Sequence, residues 1–350
     1  MSKPHIAYVI DPRFPGGTSS AVAAEIEVVA QFARVTVHGL ATSMFKGRDV
    51  SPNLHSALDR LGLEVVWDAT TISADVVLFH NPSCLKFQEK IHARIITQHL
   101  IVVAHENFLR PSGAEAFDVA LCMGQISDCS VALKLSLAPI SDWNRETINR
   151  WLDTTGRLDN WTILDVDWFN ICAFENLEPE TTISDRRGRL SRSGYEKFPQ
   201  NNVMEICFPA HAESNVILGA DALMADPLVP MHWKLHPFRG LPVARFFEMI
   251  DFMIYFTAPT FRESFGRVMA EGIAAGKIVI SDPDTARIFK GAVIAAKPED
   301  VDGIIQSYLD DPQKYAADVL AAQEVLAQFS PQAFKQQIGP ILTPKMRAVA

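Results

Sequence analysis

The sequence predicts an α/β protein of two successive domains, each a parallel β-sheet covered by helices, with a cleft between the carboxyl ends of the two sheets. Three observations lead there. In both halves, short apolar runs alternate with longer helical patterns, and the runs are apolar throughout, as strands buried on two faces must be. The chain's 350 residues exceed what one core usually organises. Between Asn160 and Pro179 the pattern breaks into an acidic, proline-bearing stretch that separates the halves.

The first-half strand candidates are His5 to Ile10, Arg34 to His38, Leu63 to Trp67, Asp75 to Phe79 and Leu100 to Ala104, with shorter ones near Val119 and Ala138. Trp161 and Trp168 argue that the stretch between the halves is a packed crossover, since flexible linkers are poor in aromatics. In the second half, strands are expected at Asn215 to Leu218, His232 to His236, Phe252 to Phe256, Ile278 to Ser281 and Ala292 to Ala295. Helices are expected over Ala220 to Asp226, Pro242 to Glu248, Phe265 to Ala275 and Pro298 to Leu309. The C-terminal segment reads as helix interrupted by Pro331 and Pro340. The domains are accordingly placed at residues 1–165 and 166–325, followed by a helical tail, 326–350, that is free to return to the first domain.

Apolar residues make up 48% of the chain and charged residues 21%, a composition that folds. With a net charge of -9, the chain binds an anion only where a few cations and backbone N–H groups gather, which argues against nucleic acid as the principal partner. The five cysteines are odd in number and lack C-x-x-C spacing, so neither a disulfide framework nor a zinc site is signalled and a reducing compartment is favoured. Ile6 to Ile10 already reads as a strand, so no signal peptide is expected, and the apolar runs are far too short to span a membrane. A cytoplasmic protein is expected, with peripheral attachment to the inner membrane face left open.

The stretch from Phe252 to Ile280 bears the most chemistry: strand, loop, helix, glycine stop, strand. Gly266 stands at the expected helix start, where a missing side chain lets an anion approach free N–H groups and the positive helix end. Glu263 and Glu271, eight positions apart, can grip separate hydroxyl pairs of an extended ligand, because a carboxylate accepts from vicinal hydroxyls. The competing reading is a surface helix with solvated glutamates and Gly276 as a plain stop.

A second cluster, Arg186 to Pro199, carries five cations in twelve residues: Arg186, Arg187, Arg189, Arg192 and Lys197. In an acidic chain this suggests a focused anion site; a solvated charge run is the alternative. Near the start, Gly16 and Gly17 follow the first strand, and Thr18 or Ser19 can cap the next helix. The third glycine of a dinucleotide fingerprint is missing, so a nicotinamide cofactor gains no support. His80 and His105 fall at expected strand ends, where an imidazole can meet a ligand hydroxyl or be purely structural. Ser141 is a candidate cap, with Arg145 suited to a ligand contact or a surface i,i+4 pair. Phe87, Phe108, Phe117 and Trp143 either line an acceptor site or fill the core.

Glu263-x7-Glu271, inside Glu-Ser-Phe-Gly-Arg-x3-Glu-x-Ile-Ala-Ala-Gly-Lys-x-Val-Ile, resembles the signature of the retaining glycosyltransferase family 4. The resemblance implies the GT-B architecture, two Rossmann-like α/β/α domains facing across a cleft, the first on the acceptor side and the second binding the nucleotide-sugar donor. It implies that Glu263 contacts the transferred sugar, Glu271 the ribose, and the loop of Ser264, Phe265, Gly266 and Arg267 the diphosphate. Arg189 and Lys197 match the family's phosphate-facing Gly-Arg-Leu and Lys; Lys197 is followed by Phe198 instead of the usual glycine and the gap is long, so Arg192 is a rival for the second contact. Gly16 and Gly17 resemble the amino-terminal Gly-Gly loop over the donor phosphates. His105 matches the histidine beside the donor sugar, with Glu106 orienting it or facing the acceptor and His80 shaping the acceptor pocket. Ser141 falls in a segment similar to the family's Val-Ser before a helix, and Phe238 lies where the nucleotide base is held.

The implied reaction moves a sugar from a nucleoside-diphosphate sugar to a hydroxyl of a glycan, lipid-linked or other acceptor, with retention, in bacterial glycoconjugate or polysaccharide synthesis. His105, Glu263, Arg189 and Lys197 are the expected catalytic residues. No cofactor and no metal are expected, because protein cations serve the leaving diphosphate. Two other readings are a GT-B enzyme of different chemistry, such as a sugar-nucleotide epimerase or a phosphorylase, and a noncatalytic sugar-nucleotide-binding protein. The donor's nucleotide and sugar are not assigned by any residue.

Overall fold

The computed structural model describes residues 3–343, apart from Pro15, Gln88, Glu89, Gly156, Arg157, Asp159 and Ser193. Its backbone divides into two units, residues 1–173 with 329–350 and residues 174–328.

The first unit holds seven strands: β1 His5–Ile10, β2 Arg34–Gly39, β3 Val65–Val66, β4 Thr71–His80, β5 Arg94–Ala104, β6 Ser130–Pro139 and β7 Trp161–Ile163. All pair in parallel, in the order β3-β2-β1-β4-β5-β6-β7. The order reverses between β1 and β4, so their carboxyl ends flank a crevice of the kind in which open α/β sheets hold ligands. Residues Ile6 to Val9 are wholly buried, as are Leu100 to Ala104, which accounts for their continuous apolar runs.

The second unit repeats the plan with β8 Arg186–Leu190, β9 Ser214–Leu218, β10 Trp233–His236, β11 Phe252–Tyr255, β12 Ile278–Ser281 and β13 Ile294–Ala295. These too are parallel, ordered β10-β9-β8-β11-β12-β13, with the reversal between β8 and β11. Phe252, Ile254, Ile278 and Ile280 lie in one core with Tyr308 and Tyr315.

Three departures from the sequence expectations have physical causes. The run at Val119 is a helix, Val119–Asp128, because Asp118 caps it by accepting the Leu121 N–H at 2.9 Å. β8 was hidden by its arginines: Arg187, 1% exposed, is tolerated in a central strand because Asp185 and Asp302 each pair with it at 2.7 Å. Pro331 opens the helix Pro331–Leu342, where its missing N–H costs nothing, while Pro340 lies inside that helix and does not interrupt it. The crossover tryptophans do pack, Trp168 meeting Phe334 edge-on at 5.7 Å and donating to Glu25 Oε2 at 2.8 Å. All five cysteines are free thiols.

Candidate functional site

The reversal between β8 and β11 brings two distant segments together. β8 ends in Arg189 and Leu190 and leads to a 3-10 turn, Tyr195–Lys197; β11 ends at Tyr255 and leads to the loop carrying Glu263. Lys197 Nζ and Tyr255 Oη both donate to Glu263 Oε1, the tyrosine at 2.6 Å. The ammonium also sits 4.2 Å from the Phe261 ring centroid. Behind it, the wholly buried guanidinium of Arg189 lies between the rings of Phe198 and Tyr255, at 5.0 and 4.4 Å, and donates to the Lys197 carbonyl.

This cluster is charged and largely dry, the Lys197 and Glu263 side chains being 9% and 13% exposed. Burial works to raise the pKa of Glu263, but Lys197, the Tyr255 hydroxyl and the nearby charge of Arg192 outweigh it, and the carboxyl is held below its ordinary value. Burial lowers the pKa of Lys197 against the pull of Glu263, and Arg192 and Arg189 reinforce the lowering. Burial and Glu263 push the Tyr255 phenol up, so it stays a donor. Two buried polar atoms here, Arg189 Nε and Ser191 Oγ, make no hydrogen bond within the described residues.

Gly266 precedes the helix Arg267–Ala274 with φ 80° and ψ 46°, in the left-handed region. A Cβ there would stand 2.2 Å from Met269 Cε, the far end of a flexible side chain that can shift, so it is the torsion that calls for glycine. Phe265 is core, 2% exposed and packed 5.6 Å from Phe289, which leaves its backbone as the part able to meet a ligand. Ser264 is half-buried in the same turn. Arg267 stacks over Phe174 at 4.6 Å and approaches Glu271 to 3.5 Å. Burial raises the pKa of Glu271 against that cation, so this glutamate is not a freely solvated one.

Of the five cations expected to form one anion site, Arg186 and Arg187 are engaged elsewhere. Arg186 makes a bidentate pair with Asp251, both contacts at 2.7 Å, and Arg187 is held by Asp185, Asp302 and the Cys207 carbonyl. Only Arg189, exposed Arg192 and Lys197 belong to the neighbourhood of Glu263. Phe238 lies beyond the end of β10, 40% exposed, its N–H donating to Asp221 Oδ2 at 2.8 Å.

Gly16, Gly17 and His105 belong to the first unit. Gly17 opens the helix Gly17–Val29 with extended Gly16 before it, so no side chain caps this end; Ser19 Oγ donates back to the Phe14 carbonyl at 2.8 Å instead. His105 directly follows β5 and is half-buried. Its Nε2 lies 2.9 Å from Nδ1 of His80, and burial, aided by His80, drives its pKa well below the ordinary imidazole value. His80 is wholly buried. Arg145 pairs with Asp167 at 2.8 Å and the Leu164 carbonyl at 2.6 Å, neither a helical i,i+4 pair nor a free cation. Ser141 accepts the Asn144 N–H at 3.1 Å, as a cap should. Phe108 and Phe117 are core residues in edge-on contact at 5.7 Å, while Phe87 is 60% exposed.

Sequence reasoning missed Tyr255, Phe261, Tyr8 and Glu25, none of which sits in a recognisable spacing. Among the described residues, no group of three or more His, Cys, Asp or Glu is placed to hold a metal ion. No described helix is long and apolar enough to cross a membrane.

The sequence matches no protein-family model and no curated protein. Solved structures do share its architecture. Anabaena HepE (Alr3699) in complex with UDP is 15% identical over 97% of this chain and 99% of that one, with a TM-score of 0.64; HepE in complex with UDP-glucose gives 0.60. Sucrose-phosphate synthase from Thermosynechococcus elongatus is 12% identical over 97% and 98% of the two chains, with a TM-score of 0.61. An alpha-glucosyltransferase in complex with UDP and a 13-mer DNA containing a HMU base is 11% identical over 98% and 100%, with a TM-score of 0.59. Two parallel sheets, each flanked by helices, give this chain the GT-B fold with its two Rossmann-like domains.

Proposed function

We propose that this chain is a nucleotide-sugar-dependent glycosyltransferase whose donor is held at the β8/β11 reversal of the second sheet. The observation that carries the reading is the shared hydrogen bonding of Lys197 and Tyr255 to Glu263, beside Arg189 and next to the Gly266 turn. Glu263 clamps hydroxyls of the transferred sugar, and Glu271 those of the ribose. The N–H groups of Phe265 and Gly266 face the diphosphate, with Ser264 and Arg267 in the same turn. Phe238 and its surroundings meet the base.

Departure of the nucleoside diphosphate develops negative charge on its oxygens. An ammonium has three donors and Glu263 takes one, so Lys197 keeps its carboxylate while turning another N–H to phosphate. Arg192 supplies a second, exposed charge, and Arg189 holds the Lys197 backbone. Such a fixed set accelerates transfer by stabilising the leaving group more than the intact donor. Gly16, Gly17 and His105 take the roles they have in the retaining family 4 enzymes that the motif resembles, the glycines over the donor phosphates and the imidazole beside the sugar. The sugar's configuration is retained and the cations do the work of a metal. The acceptor is a hydroxyl of a glycan, a lipid-linked molecule or another compound, met in the cytoplasm.

UDP and UDP-glucose in the HepE structures, and UDP in the glucosyltransferase, make UDP-glucose the first donor to try. A panel of UDP- and GDP-sugars screened by calorimetry tests the proposal. One member binding in the micromolar range, with affinity lost in Lys197→Ala, supports it; no binding by any nucleotide sugar contradicts it.

A further inference from the structure

Three side chains of the first unit that the transfer reaction above does not use, Glu25, His80 and Trp168, form a buried polar chain with His105. Glu25 projects from the helix Gly17–Val29, His80 ends β4, His105 follows β5, and Trp168 comes from the crossover. Trp168 Nε1 donates to Glu25 Oε2 at 2.8 Å. Glu25 Oε1 lies 3.5 Å from His80 Nε2, and His80 Nδ1 lies 2.9 Å from His105 Nε2. Tyr8 stacks on His80 with ring centroids 5.5 Å apart and planes 9° from parallel, which holds the imidazole plane. Glu25 is 3% exposed and His80 not at all.

We infer that Glu25 and His80 are positioning residues that fix His105 as the Nε2–H tautomer, leaving its Nδ1 as the acceptor for a hydroxyl of the bound sugar. The identity of that hydroxyl rests on the function proposed above; the tautomer does not. A carboxylate only accepts, so the oxygen facing His80 Nε2 favours a proton on that nitrogen. A single proton on His80 Nε2 leaves a lone pair on its Nδ1, and the 2.9 Å contact then takes its proton from His105 Nε2. In the reverse arrangement, the lone pair of His80 Nε2 would face a carboxylate lone pair. Burial keeps His105 uncharged, so it carries a single ring proton, and with that proton on Nε2 its Nδ1 has none. What remains is His105 Nδ1, a buried lone pair that bonds no described residue. An O–H donor satisfies it, and a sugar hydroxyl is such a donor.

The chain can be reversed by one isosteric change. In Glu25→Gln, Trp168 still requires an oxygen at the Oε2 position, so the amide NH2 takes the place of Oε1 and donates towards His80 Nε2. His80 Nδ1 then carries the proton, and His105 must become the Nδ1–H tautomer. Imidazole 15N spectroscopy of the full-length protein, with His105 assigned by its loss in His105→Asn, reads this directly. Expected are a pyrrole-like Nε2 and a pyridine-like Nδ1 in wild type, exchanged in E25Q, with Nδ1 of the wild type shifting when UDP-glucose is added. A wild-type His105 protonated on Nδ1 overturns the inference, even should E25Q not fold, and so does a folded E25Q whose pattern is unchanged. Absence of sugar transfer with a correct tautomer would count against the proposed function alone.

Discussion

Lys197 and Glu263, 66 residues apart in sequence, form a nearly dry ion pair across the reversal of the second sheet, with Tyr255 donating to the same carboxylate oxygen. Removing one partner strands the other's charge. Lys197→Met should therefore cost about 3 kcal/mol of stability, and adding Glu263→Gln should recover most of it. Urea denaturation of the two single variants and the double variant measures the coupling; additive losses would show that the pair is not the buried unit described.

Gly266 should tolerate no side chain. Its φ of 80° strains any L-residue, and a Cβ would meet Met269 Cε at 2.2 Å. Gly266→Ala is expected to cost roughly 1–3 kcal/mol and to weaken donor binding at least tenfold. Thermal melts with calorimetric donor titrations check both.

Arg189 acts through its neighbours, as its guanidinium is enclosed by Phe198 and Tyr255 and bonded to the Lys197 carbonyl. A lysine cannot reproduce that planar contact. Arg189→Lys should keep its fold and lower kcat by one to two orders of magnitude, roughly the effect of a misplaced transition-state cation, with a smaller change in KM. A change confined to KM would mean that the residue serves only ground-state binding.

His99 supplies a pH test of the first unit. Burial, with help from Lys134, lowers its pKa from 6.5 to about 4, and its Nε2 lies 2.9 Å from Ser136 Oγ. The unfolded chain binds the proton more readily, so this contribution is complete above pH 6.5 and is lost as pH falls towards 4. The loss reaches about 3 kcal/mol at most. Comparing urea midpoints of wild type and His99→Gln between pH 7 and 4.5 should show a steeper decline in wild type; parallel declines would contradict the burial argument.

Much of the fold was legible because strands such as His5–Ile10 and Ile278–Ser281 are buried on both faces and read as unbroken apolar runs. Strand Arg186–Leu190 was not, because the carboxylates of Asp251, Asp185 and Asp302 that make its arginines tolerable are remote or ambiguous in sequence. The candidate site shows the same division. Glu263, Gly266 and Lys197 stand in motifs, but Phe261 meets Lys197 only through the strand order β8-β11, and Tyr255 reaches Glu263, eight residues on, only through the fold of the loop after β11. Glu25 shares its helix with Thr18, Ser19, Ser20 and Glu27, so nothing local marks it, and its link to His80 depends on tertiary packing.

We propose that Glu263 and Lys197 act on a sugar donor, with Arg189 holding Lys197 in place. Sugar transfer from the best-binding nucleotide sugar to an acceptor panel should be measured for wild type and for Glu263→Ala, Lys197→Ala and Arg189→Ala, with circular dichroism confirming each fold. The account predicts transfer by wild type and severe loss in each folded variant; a folded variant retaining full turnover would contradict it.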